Sequence, residues 1–467
     1  MKKKAIVLVP HQDDEINIAG SLFHLLLLHG IETTVVFSTN GDYHASLAEI
    51  RYQEALRVKE ILKYKTLIYL GYGDEYKGEH IYHAVNKQPA ISTRGRNKTY
   101  FPGSENEYCY SRYSTHHTYT RENYKSDIKN IIMDLLPDII ICVDYDSHPD
   151  HRCLSLLFDE AMGEILKESK DYMPLVLKKF AYLGVWLGPN DYFCKEAIET
   201  QSIIRDEYVL SYPYVWDDRI RVPTPLLHYD LLFWKSPVFK AICGYQSQSQ
   251  SFNPNNSGLT NYPKIVNTDT VYWQRRTDNI ALNSHVRTSS GNPTYLTDFK
   301  LYDTKDIRSK NILQNGLFWT PDKDDNEKSI VFKFNDSVDV SLIVVYQHPD
   351  FAVKQVRISA DIGFSTLLNC DKSQVVKLKV PILHGLRQLT IDILDGYSDE
   401  IKVGEIEMFS TECENADLKL LLNEMKPQPL CARNSAICKI MNILYALYCQ
   451  IRIRINNRKW RGYLNNS

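Results

Sequence analysis

The stretch that decides the fold is Val7-Leu8-Val9-Pro10-His11-Gln12-Asp13-Asp14-Glu15. Residues 5–9 are apolar and mostly β-branched or long, which predicts a short buried strand of a parallel sheet. An imidazole and three carboxylates follow directly. Adjacent carboxylates repel one another, and a divalent cation would remove that repulsion, since His and Asp are good zinc ligands. The alternative is a polar helix N-terminus, where acidic side chains favour the helix dipole.

A second polar cluster has the same relation to an apolar run. It reads Asp144-Tyr145-Asp146-Ser147-His148-Pro149-Asp150-His151 and follows residues 139–143. We expect His151, at the start of a helix, to ligate a metal, with Asp150 or Asp146 accepting a hydrogen bond from its ring. The alternative is an N-capping loop with incidental histidines. Two such clusters, each at a strand end, favour one shared metal site.

Strand and helix patterns alternate along the first part of the chain. Apolar runs predict strands over 5–9, 33–37, 66–70 and 139–143, and helical periodicity covers 17–29, 49–62, 124–136 and 153–167. This order predicts an α/β fold, a Rossmann-like open parallel sheet with helices on both faces. Ligands of such sheets bind beyond the carboxyl ends of the strands, where both polar clusters lie.

The remaining chain divides by composition. The polar segment 77–120 is expected to roof the site, and substrate contact or a structural role stays open for its His116 and His117. Short alternating runs between Asp, Asn, Gly and Pro predict an all-β sandwich. The predicted units are 1–290 for the α/β domain, 291–410 for the sandwich, 411–430 for a linker and 431–467 for a basic amphipathic tail.

Composition excludes several classes of protein. The 467 residues are 43% hydrophobic and 24% charged, as in folded domains. A net charge of −2 provides no overall positive potential that would attract nucleic acid. The ten cysteines show no CxxC spacing, and no apolar stretch is long enough to cross a membrane. We therefore expect a cytoplasmic protein with reduced thiols.

Several motifs resemble the PIG-L/LmbE family of metal-dependent de-N-acetylases. The segment from Pro10 to Glu15 is similar to the family's Pro-His-Pro-Asp-Asp-Glu signature, and 148–151 to its His-Pro-Asp-His signature. Similarity extends in order over about residues 1–280. It includes Arg51, Glu54, the turn 70–74, Thr120-Arg121, residues 136–139, the helix 240–248 and Trp273-Gln274-Arg275-Arg276-Thr277. Gln12 stands where the family usually has Pro, and Tyr245 where it often has His.

The resemblance implies a role for each matching residue. His11, Asp14 and His151 would bind Zn²⁺, or another divalent metal such as Fe²⁺. Asp13 would be the general base, and His148 would stabilise the oxyanion or act as the acid. Arg51 and Asp74 would contact the substrate. The implied reaction removes an acetyl group from an N-acetylated amino sugar, carried on a nucleotide or a lipid; the alternatives are a zinc amidase for a non-sugar conjugate and an inactive carbohydrate-binding protein.

The other two units also carry signals. Residues 319–321 and 403–409 resemble a discoidin or galactose-binding sandwich, which could bind glycan or serve structure alone. After Glu424 the chain has no acidic residue but eight Lys and Arg, seven of them in the tail. Apolar residues recur at helical spacing over 437–455, so the tail predicts either an anchor at the inner face of an anionic membrane or a helix docked on the protein.

Overall fold

The computed structural model describes residues 2–43, 47–103, 107–182, 186–187, 200–202, 205–228, 233–248, 266–410, 415–423 and 435–464. Its strands are β1 (Lys4–Val9), β2 (Glu32–Thr39), β3 (Thr66–Tyr72), β4 (Tyr76–Lys77), β5 (Ile91–Ser92), β6 (Ile139–Val143), β7 (Leu175–Lys179), β8 (Trp186–Leu187), β9 (Gln201–Ser202), β10 (Ile220–Pro223), β11 (Asp269–Arg275), β12 (Ser284–Thr288), β13 (Asp303–Thr304), β14 (Gly316–Leu317), β15 (Ser329–Gln347), β16 (Val353–Ala360), β17 (Phe364–Asn369), β18 (Val375–Gly396) and β19 (Val403–Phe409). Its helices are α1 (Asp14–Ala19), α2 (Leu22–Leu28), α3 (Ala48–Leu62), α4 (Tyr108–Tyr113), α5 (Arg121–Leu135), α6 (Pro149–Glu168), α7 (Glu207–Ser211), α8 (Pro237–Gly244), α9 (Ile312–Asn315), α10 (Ala416–Asn423) and α11 (Ser435–Leu464).

A seven-stranded sheet in the order β10-β11-β7-β6-β1-β2-β3 organises the first part of the chain. The five strands from β7 to β3 run parallel, and β11 and β10 add an antiparallel edge. Every residue of β6 is buried, as the unbroken apolar run predicted. Helix α5 packs on α6, and α3 on α8, and both pairs share the hydrophobic core of the sheet. The predicted α/β fold is confirmed, with two antiparallel strands added at one edge.

Two local features differ from the sequence reading. The helix predicted over 17–29 is two helices, α1 and α2, with Gly20 and Ser21 between them. Strand β7 was not predicted, although its five residues are all buried. Its last two residues are Lys178 and Lys179, and those charges hide the apolar pattern; Lys178 is buried because it pairs with Asp159 at 2.9 Å.

A second, antiparallel sheet follows in the order β12-β15-β18-β16-β17, with β19 paired to β15. The long strands β15 and β18 change register at several points between residues 333 and 342, where the pairing is irregular. This region has its own apolar core, which includes the buried Trp319. The sandwich-like β region predicted from sequence is confirmed. Its first strand, β12, comes ahead of residue 291, and β17 was not predicted.

Buried polar contacts join the two sheet regions. The Arg152 side chain is 1% exposed, and its Nε donates to the Ile307 carbonyl oxygen at 2.7 Å. Its guanidinium also donates to the Asp146 carbonyl oxygen at 2.8 Å. Arg275 of β11 lies 3.3 Å from the Glu407 carboxylate of β19. Since these groups are buried, the α/β region and the β region depend on each other for their partners.

The last parts of the chain are helical where they are described. Helix α10 lies within the stretch expected to be a linker, and α11 packs against α8 through aromatic side chains. Among the described helices, none has both the length and the apolar character needed to cross a bilayer. Six cysteines are free thiols: Cys109, Cys142, Cys153, Cys243, Cys370 and Cys449.

Candidate active site

Five strands of the first sheet end at one cleft. The segments after β1, β2, β3, β6 and β7 bring their polar side chains to the carboxyl edge of the sheet, as parallel topology requires. Strands β1 and β6 are direct neighbours. The two polar clusters predicted to meet therefore lie side by side, although Asp14 and His151 are 137 positions apart in the sequence.

The Asp14 carboxylate lies between two imidazoles. Its Oδ2 is 3.1 Å from His11 Nδ1 and 3.1 Å from His151 Nε2. All three side chains are buried. Burial opposes ionisation of Asp14, but the two rings hold the pKa of this carboxyl well below its usual value. The arrangement offers two nitrogens and one anionic oxygen to a common point, which is a ligand set that zinc accepts.

His148 is the third imidazole of the cleft. Its ring centroid lies 4.6 Å from that of His11 and 4.8 Å from that of His151. Nitrogens of the three rings come within 4.8 Å of one another, and the geometric ligand group that they form contains His148 and not the predicted ligand Asp14. The His148 Nδ1, however, accepts the Asp150 backbone N–H at 3.2 Å and caps α6. Only Nε2 is left for a ligand or a substrate.

Both expected hydrogen-bond acceptors are present, and they act on different rings. Asp146 lies 2.8 Å from His151 Nδ1, on the ring edge away from Asp14. Asp150 lies 3.2 Å from His11 Nε2 and 3.2 Å from the Nε2 of His80. Such acceptors fix the orientation of a metal-binding imidazole. His80 was missed from sequence because nothing in its segment resembles a metal motif.

The electrostatics of the cleft favour a cation. Burial lowers the pKa of a histidine, yet Asp74, Asp14 and Asp150 hold the pKa of His11 well above its usual value. For His151, Asp146 and Asp14 outweigh burial and raise the pKa to about 10. The carboxylates thus stabilise positive charge at this point, and the donor atoms are those of a divalent transition metal, so the residues fit the metal that the sequence predicted.

Asp13 differs from Asp14 in backbone and in environment. It has φ 101°, a left-handed conformation that is strained for a side chain larger than glycine. This turn directs its carboxylate into the cleft, which it lines. Burial and the adjacent Asp14 charge raise the pKa of Asp13 to about 7. A carboxylate that gains a proton near neutral pH has the acidity expected of a general base.

Arg51 and Asp74 line the same cleft and form a pair at 3.6 Å. Arg51 also donates to the Gln12 carbonyl oxygen at 2.8 Å, which ties α3 to the first polar cluster. Gly41 approaches the side chains of Gln12 and Arg51 so closely that an added Cβ would lie 2.1 Å from Gln12 Oε1 and 2.8 Å from Arg51 Nε. The two residues predicted to contact substrate are therefore at the cleft, in a buried and positioned pair.

The two departures from the family signatures have partners. Gln12 donates to the Tyr69 hydroxyl at 3.1 Å and points away from the cleft. Tyr245 donates to the Glu15 carboxylate at 2.5 Å. Burial raises the pKa of Glu15 to about 8, although the Tyr245 hydrogen bond opposes this. Both substitutions therefore support the backbone around Asp13 and Asp14 without reaching the cleft.

The sequence did not single out four of the residues that line the cleft, Asn17, Tyr43, Glu75 and Tyr182. The full lining is His11, Asp13, Asp14, Asn17, Tyr43, Arg51, Asp74, Glu75, His148, Tyr182 and Gln248. Tyr182 follows β7, and its ring centroid is 4.9 Å from that of His151. The sequence missed Tyr182 because β7, the strand that it follows, was not predicted. Among the described residues, those that line the cleft include none from 77–120, and the expected roof over the site stays a prediction. This segment supports the site from outside, through contacts such as Tyr100 to Asp42 at 2.8 Å.

A second group of possible ligands lies outside the cleft. Cys109, His117 and Asp127 offer atoms within 4.8 Å of one another. Asp127 already accepts hydrogen bonds from the Tyr72 hydroxyl at 2.6 Å, from the Cys109 thiol at 2.9 Å and from His117 at 3.0 Å. Burial and Asp127 raise the pKa of the Cys109 thiol. Hydrogen bonding accounts for this group, and His116 similarly bonds to Glu107.

An open α/β sheet with histidines and carboxylates clustered at its carboxyl edge defines a class of α/β proteins whose site could hold a metal ion. Within that class, residues 6–162 match the model of the PIG-L family, described as GlcNAc-PI de-N-acetylase. The match contains both polar clusters. This part of the chain is a PIG-L domain, and the resemblance predicted from the two signatures is confirmed.

Comparison with other proteins adds three similar structures. An N,N'-diacetylchitobiose deacetylase from Pyrococcus horikoshii is 23% identical with a TM-score of 0.25, over 36% of this chain and 52% of its own. A family 32 carbohydrate-binding module from Clostridium perfringens NanJ, in complex with galactose, is 12% identical with a TM-score of 0.22, over 27% and 93%. A chitosan-binding module from a Paenibacillus sp. IK-5 chitosanase/glucanase is 12% identical with a TM-score of 0.21, over 28% and 98%. No curated protein matches the chain.

Proposed function

We propose that this protein is a zinc-dependent hydrolase that removes the acetyl group from an N-acetylated amino sugar, releasing acetate and the free amine. The observation that carries the proposal is the Asp14 carboxylate, 3.1 Å from both His11 and His151, with Asp13 lining the same cleft. The PIG-L match supports a sugar substrate, because that family's description names a GlcNAc conjugate. We infer a nucleotide-linked or lipid-linked glycan precursor as the substrate.

His11, Asp14 and His151 would hold the ion, which when bound supplies Lewis-acid polarisation of an amide carbonyl and lowers the pKa of water to about 7. Asp13 takes the proton of the attacking water, since its pKa of about 7 leaves it substantially ionised at neutral pH. The protonated Asp13 can then return that proton to the leaving amine. Both transfers use the strained turn that points Asp13 into the cleft.

His148 acts on the oxygen of the scissile amide. Because its Nδ1 accepts the Asp150 N–H, a neutral ring carries its proton on Nε2. Burial and the two neighbouring rings lower the pKa of His148, which keeps it neutral. The Nε2–H can therefore donate a hydrogen bond to the developing oxyanion, and Arg51 and Asp74 bind polar groups of the sugar.

The test compares three zinc-loaded proteins: wild type, Asp13→Asn and Asp14→Asn. Asp13→Asn should keep its bound zinc, measured by metal mass spectrometry, while acetate release falls about 10²–10⁴-fold because the base is lost. Asp14→Asn should lose both zinc and activity. If Asp13→Asn deacetylates at the wild-type rate, the assignment of the base is wrong.

The substrate class is tested separately, by mass spectrometry of N-acetylated sugars, their nucleotide conjugates and their lipid conjugates after incubation with the enzyme. Loss of one acetyl group from a sugar conjugate, but not from N-acetylated amino acids, supports the proposal. The reverse preference indicates an amidase for another conjugate. Binding of a sugar without any hydrolysis indicates a carbohydrate-binding protein. Metal analysis of the protein as purified distinguishes zinc from iron.

A further inference from the structure

The C-terminal helix α11 is held to the α/β region by one face. Met441, Tyr445, Cys449 and Ile453, spaced four residues apart, are each less than 10% exposed. The Tyr445 ring centroid lies 4.9 Å from that of Phe233. Tyr448 similarly lies 5.6 Å from Phe239 of α8. One face of this helix is therefore docked on the protein, which was one of the two alternatives predicted for the tail.

The opposite face of α11 is apolar and exposed. Six large aliphatic side chains are 47–60% exposed: Ile440, Ile443, Leu444, Leu447, Ile451 and Ile455. At about 100° per residue they lie within an arc of about 120°, centred opposite the docked face. A continuous apolar row of this size on a folded protein indicates a binding surface.

Positive charge borders the apolar row. Arg454 and Arg458 are exposed and continue the row towards the end of the helix, and Lys439 is exposed at its other end. No acidic residue occurs anywhere in 435–464. A row of aliphatic side chains between cations matches a surface of acyl chains and anionic headgroups.

A second copy of the chain is a poorer occupant of this face. A parallel pair of such helices would bury the aliphatic rows but bring two arginine-rich ends together, and an antiparallel pair would place each arginine-rich end near Lys439. No carboxylate on α11 offsets these charges in either orientation. A bilayer offers the opposite charge. Trp234, which is 45% exposed and adjoins Phe233 under α11, adds an aromatic ring of the kind enriched at bilayer interfaces.

We propose that the exposed face of α11 binds the surface of an anionic lipid bilayer, with the helix lying in the plane of the interface. The docked face then holds the α/β domain at that surface. Helix α8, which α11 covers, leads into Tyr245, hydrogen-bonded to Glu15, and into Gln248, which lines the cleft. Helix α8 therefore lies between α11, which carries the lipid-binding face, and the active site.

The experiment is flotation of the full-length protein with vesicles of phosphatidylcholine alone or of phosphatidylcholine and phosphatidylglycerol. Binding should require the anionic lipid and should weaken as salt is raised. Leu444→Glu/Leu447→Glu should reduce the partition coefficient at least about tenfold for the lost apolar contact. Arg454→Gln/Arg458→Gln should reduce it about 30-fold, at about 1 kcal/mol for each cation.

A matched control uses aliphatic residues of similar exposure in the β region, Ile382 at 51% and Leu367 at 55%. Ile382→Glu/Leu367→Glu should bind vesicles as the wild type does. All substituted side chains are exposed, so the variants should have the melting temperature of the wild type. If Leu444→Glu/Leu447→Glu melts at a lower temperature, vesicle binding by Arg454→Gln/Arg458→Gln becomes the deciding measurement. Equal binding to neutral and anionic vesicles would overturn the proposal, as would unchanged binding of both α11 variants. Self-association without lipid that Leu444→Glu/Leu447→Glu abolishes would instead assign the face to a second copy.

Discussion

The tripeptide His-Pro-Asp occurs twice in the described structure, at residues 148–150 and at residues 348–350, and both copies have the same local structure. In each, Pro begins a helical turn and the His Nδ1 accepts the backbone N–H of the Asp, at 3.2 Å and 3.1 Å. The φ and ψ angles of the two histidines are also alike, −87° and 128° against −74° and 124°. The local signal is therefore a helix cap in both copies.

The two copies differ in what surrounds the cap. His148 faces His11 and His151, and Asp150 contacts two more imidazole nitrogens. His348 faces Phe351 and Phe318, and Asp350 is exposed. The same three residues are thus part of a candidate active site only where another strand end supplies partners. Short motifs specify local structure, and tertiary neighbours decide whether chemistry follows.

The largest expected difference between the copies is in catalysis. Asn is a good N-cap residue, so His148→Asn and His348→Asn should both retain their helical turns. His148→Asn should lower kcat about 100-fold or more, because the oxyanion loses its Nε2–H donor. His348→Asn should remain within about twofold of wild type. Steady-state assays of acetate release check both, and equal rates for the two variants would contradict the role of His148.

A smaller difference is expected in metal affinity. Asp150→Asn removes an anionic acceptor from the His11 ring and should weaken zinc binding about 10–100-fold. Asp350→Asn, whose parent carboxylate is exposed, is the matched control and should bind zinc as wild type does. Competition with a chelator of known affinity measures both. Wild-type affinity in Asp150→Asn would show that Asp150 serves only the helix.

The next effect is on stability and concerns the cap itself. His348→Ala removes the acceptor for the Asp350 N–H and should lower the free energy of unfolding by about 1 kcal/mol. His348→Asn should recover most of that loss. Chemical denaturation followed by circular dichroism measures the difference, and equal losses in the two variants would mean that packing against Phe351 matters more than the cap.

The smallest effect is a pH dependence of the His348 cap. Burial lowers the pKa of His348, with Lys402 acting in the same direction, while Asp350, a hydrogen bond to the Leu313 backbone and Glu400 oppose. Because the pKa is lower in the folded than in the unfolded chain, where it is about 6.5, the neutral ring contributes stability above that pH. The contribution is lost as the pH falls through 6.5 towards the folded value. The unfolding free energy of wild type relative to His348→Asn should therefore decline from pH 7.5 to pH 5, and a rise would contradict the burial of a neutral ring.

The parallel strands and the meeting of the two polar clusters could be predicted from the sequence, because unbroken apolar runs indicate buried strands. The apolar run before His11 and the run at residues 139–143 both proved to be buried parallel strands. Parallel strands bring their ends together, so the meeting of Asp14 with His151 followed from topology. Helix α6 begins four residues earlier than periodicity indicated, because the polar His148, Pro149 and Asp150 form its cap and first turn.

The features that the sequence did not predict depend on long-range partners. Strand β7 was missed because it ends in two charged residues, Lys178 and Lys179. The burial of Lys178 depends on its ion pair with Asp159, a partner that only the folded chain brings near. His80 reaches Asp150 from a segment without any recognisable pattern. Residues 77–120 are expected over the cleft because the segment is long and polar, but length and polarity do not specify which groups it contacts. The strained turn at Asp13 also has no sequence signature, since the residue is not glycine.

Arg152 imposes a constraint on how this protein could change over time. The residue next to His151 has its guanidinium committed to a carbonyl oxygen of the β region, at Ile307, and to that of Asp146, whose carboxylate orients His151. An exchange of the C-terminal half for an unrelated module would remove one of the two carbonyl acceptors of a buried cation, one position from a candidate metal ligand. The two halves are therefore expected to be inherited together, and a recombinant would need a replacement acceptor at the position of Ile307 before its cleft could form.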